Sequence, residues 1–205
     1  MRSLRSRILL AVLAATIFSS SAWATPVVRI TWDECGGCSL ISAAPASSLT
    51  ARISIEAGEE GVSSYGVSVQ FDDDLVLAST NPSDLGLYPE EFLPPAFSFS
   101  LSPGVEGVGT GTVLTFEAAT FGAGAANTSF DIGIIHFVVA SPKIDGIDVG
   151  GGLFNVGIDG LFDTNGGDLA GAAGYQGASV IPEPGTIALL LPGIAGLIAG
   201  RRRRA

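Results

Sequence analysis

The sequence has few charged residues, and few of these are basic. Only 15% of its 205 residues are charged, and 10 Lys and Arg face 20 Asp and Glu. This charge content is too low for a coiled coil. Binding to nucleic-acid phosphates requires clustered basic side chains, so the composition argues against a nucleic-acid partner.

Residue types that carry catalysis are also scarce. The chain has one histidine, His136, and no Gly-x-Ser-x-Gly segment, so a Ser-His-Asp hydrolase has little support. We interpret His136 as a packed residue, because it lies in the most apolar predicted strand. Trp32 and three tyrosines are the polar aromatic residues left after residues 1–24 are removed. So few aromatic platforms disfavour a sugar-processing cleft.

Glycine, proline and a two-residue alternation dominate the remaining sequence. The 28 Gly and 11 Pro favour short strands joined by turns over a helix bundle. Apolar and polar residues alternate as in half-buried strands at 28–32, 51–57, 65–71 and 97–101. Residues 134–139 are apolar on both faces, which predicts a central strand. We predict an all-β fold, an antiparallel β-sandwich, with a jelly roll as the nearest alternative.

The N-terminus has the three parts of a secretory signal peptide. Three arginines precede an apolar run over residues 8–18, and small residues follow up to Ala22 and Ala24. This order predicts cleavage after Ala24 and export of the remaining chain. An uncleaved anchor is the alternative, although the run is too short to span a bilayer comfortably.

A second apolar segment, residues 186–200, ends at a cluster of four arginines. The cluster predicts that this end stays in the cytoplasm, and it consists of Arg201, Arg202, Arg203 and Arg204. As a helix the segment would span roughly 22 Å, less than the ~30 Å hydrocarbon core, and Pro192 would kink it. We predict a short transmembrane helix. The alternative, a buried core helix, seldom ends in four adjacent arginines.

A Pro-Glu-Pro triplet, formed by Pro182, Glu183 and Pro184, precedes this segment. The triplet, the short apolar helix and the terminal arginines together resemble the PEP-CTERM sorting tail of Gram-negative bacteria. The resemblance implies that an exosortase, a membrane enzyme similar to cysteine transpeptidases, recognises the triplet. It also implies a protein exported through the inner membrane to the cell envelope or the exopolysaccharide matrix. The predicted divisions are a signal peptide at 1–24, a sandwich at 25–178 and a sorting tail at 179–205.

Residues 64–79 carry a second resemblance. Here Phe71 ends an alternating strand, three aspartates follow, and a short apolar strand comes next. This order resembles the strand, acidic turn and strand of cohesin-like sandwiches. It implies a similar fold, and it does not extend to dockerin binding.

Cys35 and Cys38 form a C-x-x-C pair. In an exported protein such a pair is usually oxidised, so we predict a disulfide. Two alternatives remain open. A redox-active pair would need to begin a helix, where the thiol pKa falls, and a zinc site would need two further ligands.

One glycine-rich segment carries oxygen ligands at spaced positions, namely Asp159, Asp163, Asn165 and Asp168. This pattern predicts a weak calcium site, because calcium prefers six to eight oxygen ligands. The alternative is a solvated turn, since the segment lacks the glycine and glutamate of a complete EF-hand loop. No other cofactor is predicted.

Without its two terminal segments, the domain is strongly anionic. Its basic residues are Arg29, Arg52 and Lys143, against every Asp and Glu except Glu183. We therefore expect a cationic partner or a sensitivity to divalent ions. The predicted function is a non-enzymatic exported protein whose sandwich binds protein or exopolysaccharide. The alternative is a secreted carbohydrate-active hydrolase, which requires paired carboxylates in a cleft.

Overall fold

The protein, seen here in a computed structural model, is built mainly from short β-strands. The structure describes residues 25–79, 81–93, 96–105, 109–152 and 160–185. In chain order its strands are β1 (Val27–Trp32), β2 (Leu40–Ala43), β3 (Ser48–Glu56), β4 (Ser64–Phe71), β5 (Leu75–Leu77), β6 (Ala96–Val105), β7 (Gly109–Ala119), β8 (Ser129–Val139), β9 (Val149–Gly152), β10 (Gly160–Phe162), β11 (Gly174–Gln176) and β12 (Ser179–Pro182). The short 3-10 helices η1 (Asp33–Cys35) and η2 (Pro82–Asp84) follow β1 and β5.

The first sheet has the strand order β11-β1-β3-β8-β5. Alternation in β1 places Val28, Ile30 and Trp32 in the core, while Arg29 and Thr31 between them are only partly buried. The same alternation continues along β3. The strands that the alternation predicts at 28–32 and 51–57 are therefore confirmed.

The second sheet has the strand order β10-β4-β7-β6, and β9 pairs with β4 beside β10. Residues 64–66 of β4 pair with β10, and residues 68–71 pair with β9. Alternation predicts that Ser68 and Gln70 point to solvent, but both are fully buried. Burial of Ser68 is tolerated because its hydroxyl lies 2.7 Å from Thr115 Oγ1 of β7, within hydrogen-bond distance.

The two sheets pack face to face. Phe71 of β4 contacts Phe137 of β8 edge-on, with ring centroids 5.0 Å apart. Gly133 of β8 lies against the ring of Phe116 in β7, and a Cβ at this glycine would be 2.4 Å from Phe116 Cε1. The predicted β-sandwich is confirmed, with one difference. Two strand pairs, β1 with β11 and β2 with β12, are parallel.

Strand β8 is central in the first sheet, as its apolar sequence predicts. It pairs antiparallel with β3 on one side and with β5 on the other. Its outward side chains, Ile134, His136 and Val138, are only partly buried. His136 Nδ1 lies 3.2 Å from Thr50 Oγ1 on the neighbouring strand. The histidine is thus packed on the outer face of the sheet.

Strand β12 forms a two-stranded ribbon with β2, from Ser179 opposite Leu40 to Pro182 opposite Ala43. Trp32 donates a hydrogen bond from Nε1 to the Ser179 carbonyl oxygen at 3.0 Å. The predicted boundary between sandwich and tail, at 178/179, falls at the first residue of this strand. Its last residue is the first proline of the Pro-Glu-Pro triplet.

Both predicted terminal segments lie outside the described residues. These are the signal peptide with Ala22 and Ala24, and the apolar segment 186–200 with its arginine cluster. Within the described ranges, no helix is long and apolar enough to cross a membrane.

Candidate functional site

Three aspartates follow β4 in a turn that leads to β5. Because β4 belongs to the second sheet and β5 to the first, this turn crosses between the sheets. Asp72 Oδ1 accepts a hydrogen bond from the Asp74 N–H at 3.0 Å, which closes the turn. Asp74 Oδ2 accepts from the Lys143 N–H at 2.6 Å. Both carboxylates are thus positioned by backbone donors.

Asp148 is brought to this turn by the pairing of β4 with β9. Phe71 is opposite Val149, and the Asp72 N–H donates to the Asp148 carbonyl oxygen at 3.1 Å. The Asp148 side chain points toward β12, because its Oδ2 accepts a hydrogen bond from the Val180 N–H. One residue therefore contacts the acidic turn and the strand that leads into the Pro-Glu-Pro triplet.

The side chains of Asp72, Asp74 and Asp148 converge. One carboxylate oxygen from each lies within 4.8 Å of the others. Asp74 is 0% exposed and Asp148 is 1% exposed. Asp148 Oδ1 is buried and has no hydrogen-bond partner in the described part of the chain. A buried carboxylate oxygen without a partner is energetically costly, and these three side chains are close enough together to hold a metal ion.

Burial raises the pKa of two of these carboxyls. Loss of solvation raises the pKa of Asp148 to about 7 and that of Asp72 to about 6. Neighbouring carboxylates raise both values further, while hydrogen bonds from backbone N–H groups lower them. Simultaneous ionisation of all the carboxyls in this largely buried cluster is therefore unfavourable.

Lys143 supplies part of the compensating charge. Its Nζ lies 2.6 Å from Asp74 Oδ1 and 2.9 Å from Asp73 Oδ1. Hydrogen bonds to these two carboxylates raise the pKa of Lys143, and the same contact lowers the pKa of Asp73. Lys143 contacts Asp73 and Asp74, and Asp148 Oδ1 stays without a partner in the described residues.

The sequence-predicted calcium ligands are arranged differently. Asp163 Oδ1 accepts backbone hydrogen bonds from Asn165 at 2.7 Å and Gly167 at 2.8 Å. Asp168 Oδ1 accepts one from Ala170 at 2.8 Å. Asp159 lies outside the described residues. Calcium binding by this segment stays a prediction, and the described contacts are those of a hydrogen-bonded turn.

Cys35 and Cys38 are joined by a disulfide, with their Cα atoms 5.7 Å apart. The intervening residues, Gly36 and Gly37, have φ values of 72° and 100°. Residues that have a Cβ rarely adopt this left-handed backbone conformation, so the two glycines make the tight connection possible. Cys35 lies in the three-residue 3-10 helix η1. Cys35 is the last residue of this helix, so it does not lie at a helix N-terminus, the position that favours a reactive thiol.

Each basic residue in the described ranges is paired with at least one acid. Arg29 Nη2 lies 2.8 Å from Glu56 Oε2. Arg52 forms a forked contact with Asp33 at 2.7 and 2.8 Å, and its Nη1 lies 2.6 Å from Asp131 Oδ2. These contacts strongly raise the pKa of Arg52. Together with Lys143, the described basic residues are neutralised within the domain.

A surface pocket of about 230 Å³ lies between residues 25–26, 58–61 and 169–172. Glu60 is the one carboxylate in its lining. A glycosidase needs two carboxyl groups flanking the bond it cleaves. This pocket does not supply such a pair.

The Pro-Glu-Pro triplet begins within β12 and leaves the sandwich immediately. Pro182 is partly buried in the pair with Ala43, and its carbonyl oxygen accepts a hydrogen bond from Ser42 Oγ at 3.3 Å. Glu183 and Pro184 are exposed. Residues 180–204 match the PEP-CTERM protein-sorting motif. This match confirms the sorting tail that the triplet predicts, and it indicates an exported protein.

Comparison with solved structures gives neighbours among cohesin modules, the family that residues 64–79 resemble. A type II cohesin from Bacteroides cellulosolvens has a TM-score of 0.49 and 13% identity, over 77% of this chain and 99% of that one. The cohesin module of a Clostridium perfringens family 33 glycoside hydrolase has a TM-score of 0.47 and 10% identity, over 78% and 98% of the two chains. Among the curated proteins, nothing matches this sequence.

Sequence reasoning finds the acidic turn but not its partner Asp148. Asp148 is far along the chain from the turn, and only the pairing of β4 with β9 brings the two together. The available signal is an aspartate directly before a valine that begins a strand. That signal marks a strand start and says nothing about the strand opposite.

Proposed function

We propose that this chain is an exported cell-envelope or matrix protein that an exosortase sorts through Pro182, Glu183 and Pro184. The observation that carries the proposal is the PEP-CTERM match over residues 180–204. The apolar segment 186–200 holds the precursor in the membrane, and the terminal arginines keep its end in the cytoplasm. The sandwich then lies outside.

The attachment of the triplet to the sandwich supports this role. β12 is hydrogen-bonded along β2 up to Pro182, and the next two residues are exposed. No flexible spacer separates the ordered ribbon from the motif. The sandwich therefore holds the triplet at a fixed place, where a membrane enzyme can reach Glu183 and Pro184.

We further propose that the sandwich is a non-enzymatic binding module. Its acidic surface, with Arg29, Arg52 and Lys143 all paired internally, favours a partner with basic groups. Such a partner is a basic protein surface of the envelope, or an exopolysaccharide that carries cationic groups. Like-charge repulsion disfavours direct docking on an anionic polymer.

The alternative of a carbohydrate-active hydrolase has less support. The converging carboxylates of Asp72, Asp74 and Asp148 are largely buried and are engaged with backbone N–H groups. A sugar ring cannot enter between groups in that position, because glycosidases leave room for substrate or water between their carboxyls. The pocket beside Glu60 contains a single carboxylate.

Fractionation of cells with and without an exosortase tests the sorting role. We expect the wild-type protein to reach the surface or the medium only in the exosortase-positive host, and to accumulate in the membrane of the null host. Glu183→Gln should reproduce the null behaviour in the positive host. Glu90→Gln, which removes an exposed acid outside the tail, is the matched control and should be sorted normally.

The same distribution of wild-type protein in both hosts would contradict sorting by an exosortase. Normal sorting of Glu183→Gln would contradict the role of this glutamate in recognition. Detection with an antiserum to the sandwich avoids adding a tag near the triplet.

A further inference from the structure

We propose that Asp72, Asp74 and Asp148 form a Ca²⁺ site that joins both sheets to β12. The site is distinct from the segment at 159–168. It does not depend on exosortase recognition, because it rests on the packing of the sandwich alone. Because Asp148 is hydrogen-bonded to Val180, occupation of the site would also stabilise the first strand of the sorting tail.

The three carboxylates converge, and one of their buried oxygens has no hydrogen-bond partner among the described residues. Oxygens of the three carboxylates lie within 4.8 Å of one another. Asp148 Oδ1 is buried and lacks a hydrogen-bond partner within the described residues, whereas Oδ2 of the same group is fixed by the Val180 N–H. The free oxygen thus belongs to a carboxylate that is already oriented. Such preorganisation is what a metal site requires of its ligands.

The charge of the cluster also favours a cation. Three ionised carboxylates would place three negative charges in one largely buried cluster. Lys143 divides its single positive charge between Asp74 and the neighbouring Asp73, so it does not neutralise the cluster. A divalent cation would supply the missing positive charge.

The side-chain ligands of the cluster are all carboxylate oxygens, which are hard ligands. Calcium accepts carboxylate and carbonyl oxygens in flexible geometry. Magnesium demands a near-octahedral shell and retains several waters, which suits a buried cluster poorly. Zinc and copper favour histidine or cysteine ligands, and the cluster contains neither.

Occupation of the site would stabilise β12. Asp148 accepts a hydrogen bond from the Val180 N–H through its side chain, and its own N–H donates to the Ala178 carbonyl oxygen at 3.1 Å. A cation that fixes Asp148 would therefore also fix the backbone at Ala178 and Val180. Trp32 contacts the same strand through the Ser179 carbonyl oxygen. Calcium would therefore hold the strand that carries Pro182 firmly in the ribbon with β2.

A thermal melt of the full-length exported protein in mild detergent tests the proposal. After removal of metal with a chelator, CaCl₂ is added and unfolding is followed by tryptophan fluorescence, while calorimetry measures the dissociation constant. Free calcium at a hundred times this constant should raise the midpoint by about 5–10 °C. An unchanged midpoint would overturn the proposal. An equally large rise with MgCl₂ would overturn the assignment to calcium.

Substitutions locate the site. Asp148→Asn and Asp72→Asn should fold, because an amide oxygen can still accept the same backbone hydrogen bonds, and both should lose the calcium response. Asp163→Asn and the exposed Glu59→Gln are charge-matched controls that should keep it. Retention of the response in both Asp148→Asn and Asp72→Asn, or its loss in Asp163→Asn, would place calcium elsewhere.

Hydrogen exchange tests the consequence for β12. Saturating calcium should slow amide exchange at Val180 by about tenfold or more, because a bound ligand suppresses local opening. Exchange in Asp148→Asn should not respond. A raised midpoint with unchanged exchange over residues 179–182 would overturn the connection between the site and this strand.

Discussion

Trp32 donates a hydrogen bond from its buried indole nitrogen to the carbonyl oxygen of Ser179. The two residues lie 147 positions apart in sequence. Trp32 ends β1 in the first sheet, and Ser179 begins the strand that leads into the sorting tail. The core of the sandwich is therefore bonded directly to the start of the tail.

Replacement of Trp32 by Phe removes this donor while keeping an aromatic ring. We expect a loss of about 2–3 kcal/mol in the free energy of unfolding, from the unpaired carbonyl and the smaller ring. Chemical denaturation followed by circular dichroism measures it. Tyr88→Phe, at an exposed ring, is the control and should change stability by less than about 0.5 kcal/mol. A cost for Trp32→Phe as small as that of the control would contradict the importance of this contact.

The two sheets approach closely at Gly133, so a larger residue there should reduce the stability of the protein. A methyl group there would overlap the ring of Phe116, so Gly133→Ala should destabilise the protein by about 1–3 kcal/mol. Gly171 has open space around the position of a Cβ, and Gly171→Ala should be nearly neutral. Urea denaturation of the two variants compares them. Equal stability would show that β7 and β8 are not packed as closely as described.

Local alternation is sufficient to predict the strands that carry most of the core. In residues 51–57 each apolar side chain is separated from the next by a polar one, and burial in β3 follows that pattern. The pattern is less informative for β4, where Ser68 is buried although it is polar. Its hydroxyl has a partner on β7, and such a partner cannot be inferred from the strand's own sequence.

The candidate site, too, can be predicted only in part from the sequence, because some of its contacts are between residues far apart in the chain. The acidic turn at 72–74 is visible as a run of three aspartates, and its position after a strand can be predicted. Asp148 cannot be assigned to it from sequence, because their proximity depends on the register of β4 with β9. The parallel pairing of β12 with β2 is equally non-local, since residues 179–182 meet residues 40–43.

The disulfide between Cys35 and Cys38 makes a prediction about the exported protein. Intact mass with and without a reductant should differ by the two hydrogens of one reduced disulfide. Because the loop is very short, the Cys35→Ser and Cys38→Ser double variant should lose about 2 kcal/mol or less of stability. A free dithiol in protein collected from outside the cell would contradict the disulfide and favour a redox or metal role.

The most direct test of the sorting role is the intact mass of the protein from exosortase-positive and exosortase-null hosts. In the null host we expect the chain without its signal peptide, with residues 186–205 still attached. In the positive host we expect a different mass that reflects processing near the Pro-Glu-Pro triplet. The same mass in both hosts, with the tail present in each, would contradict processing of this protein by an exosortase.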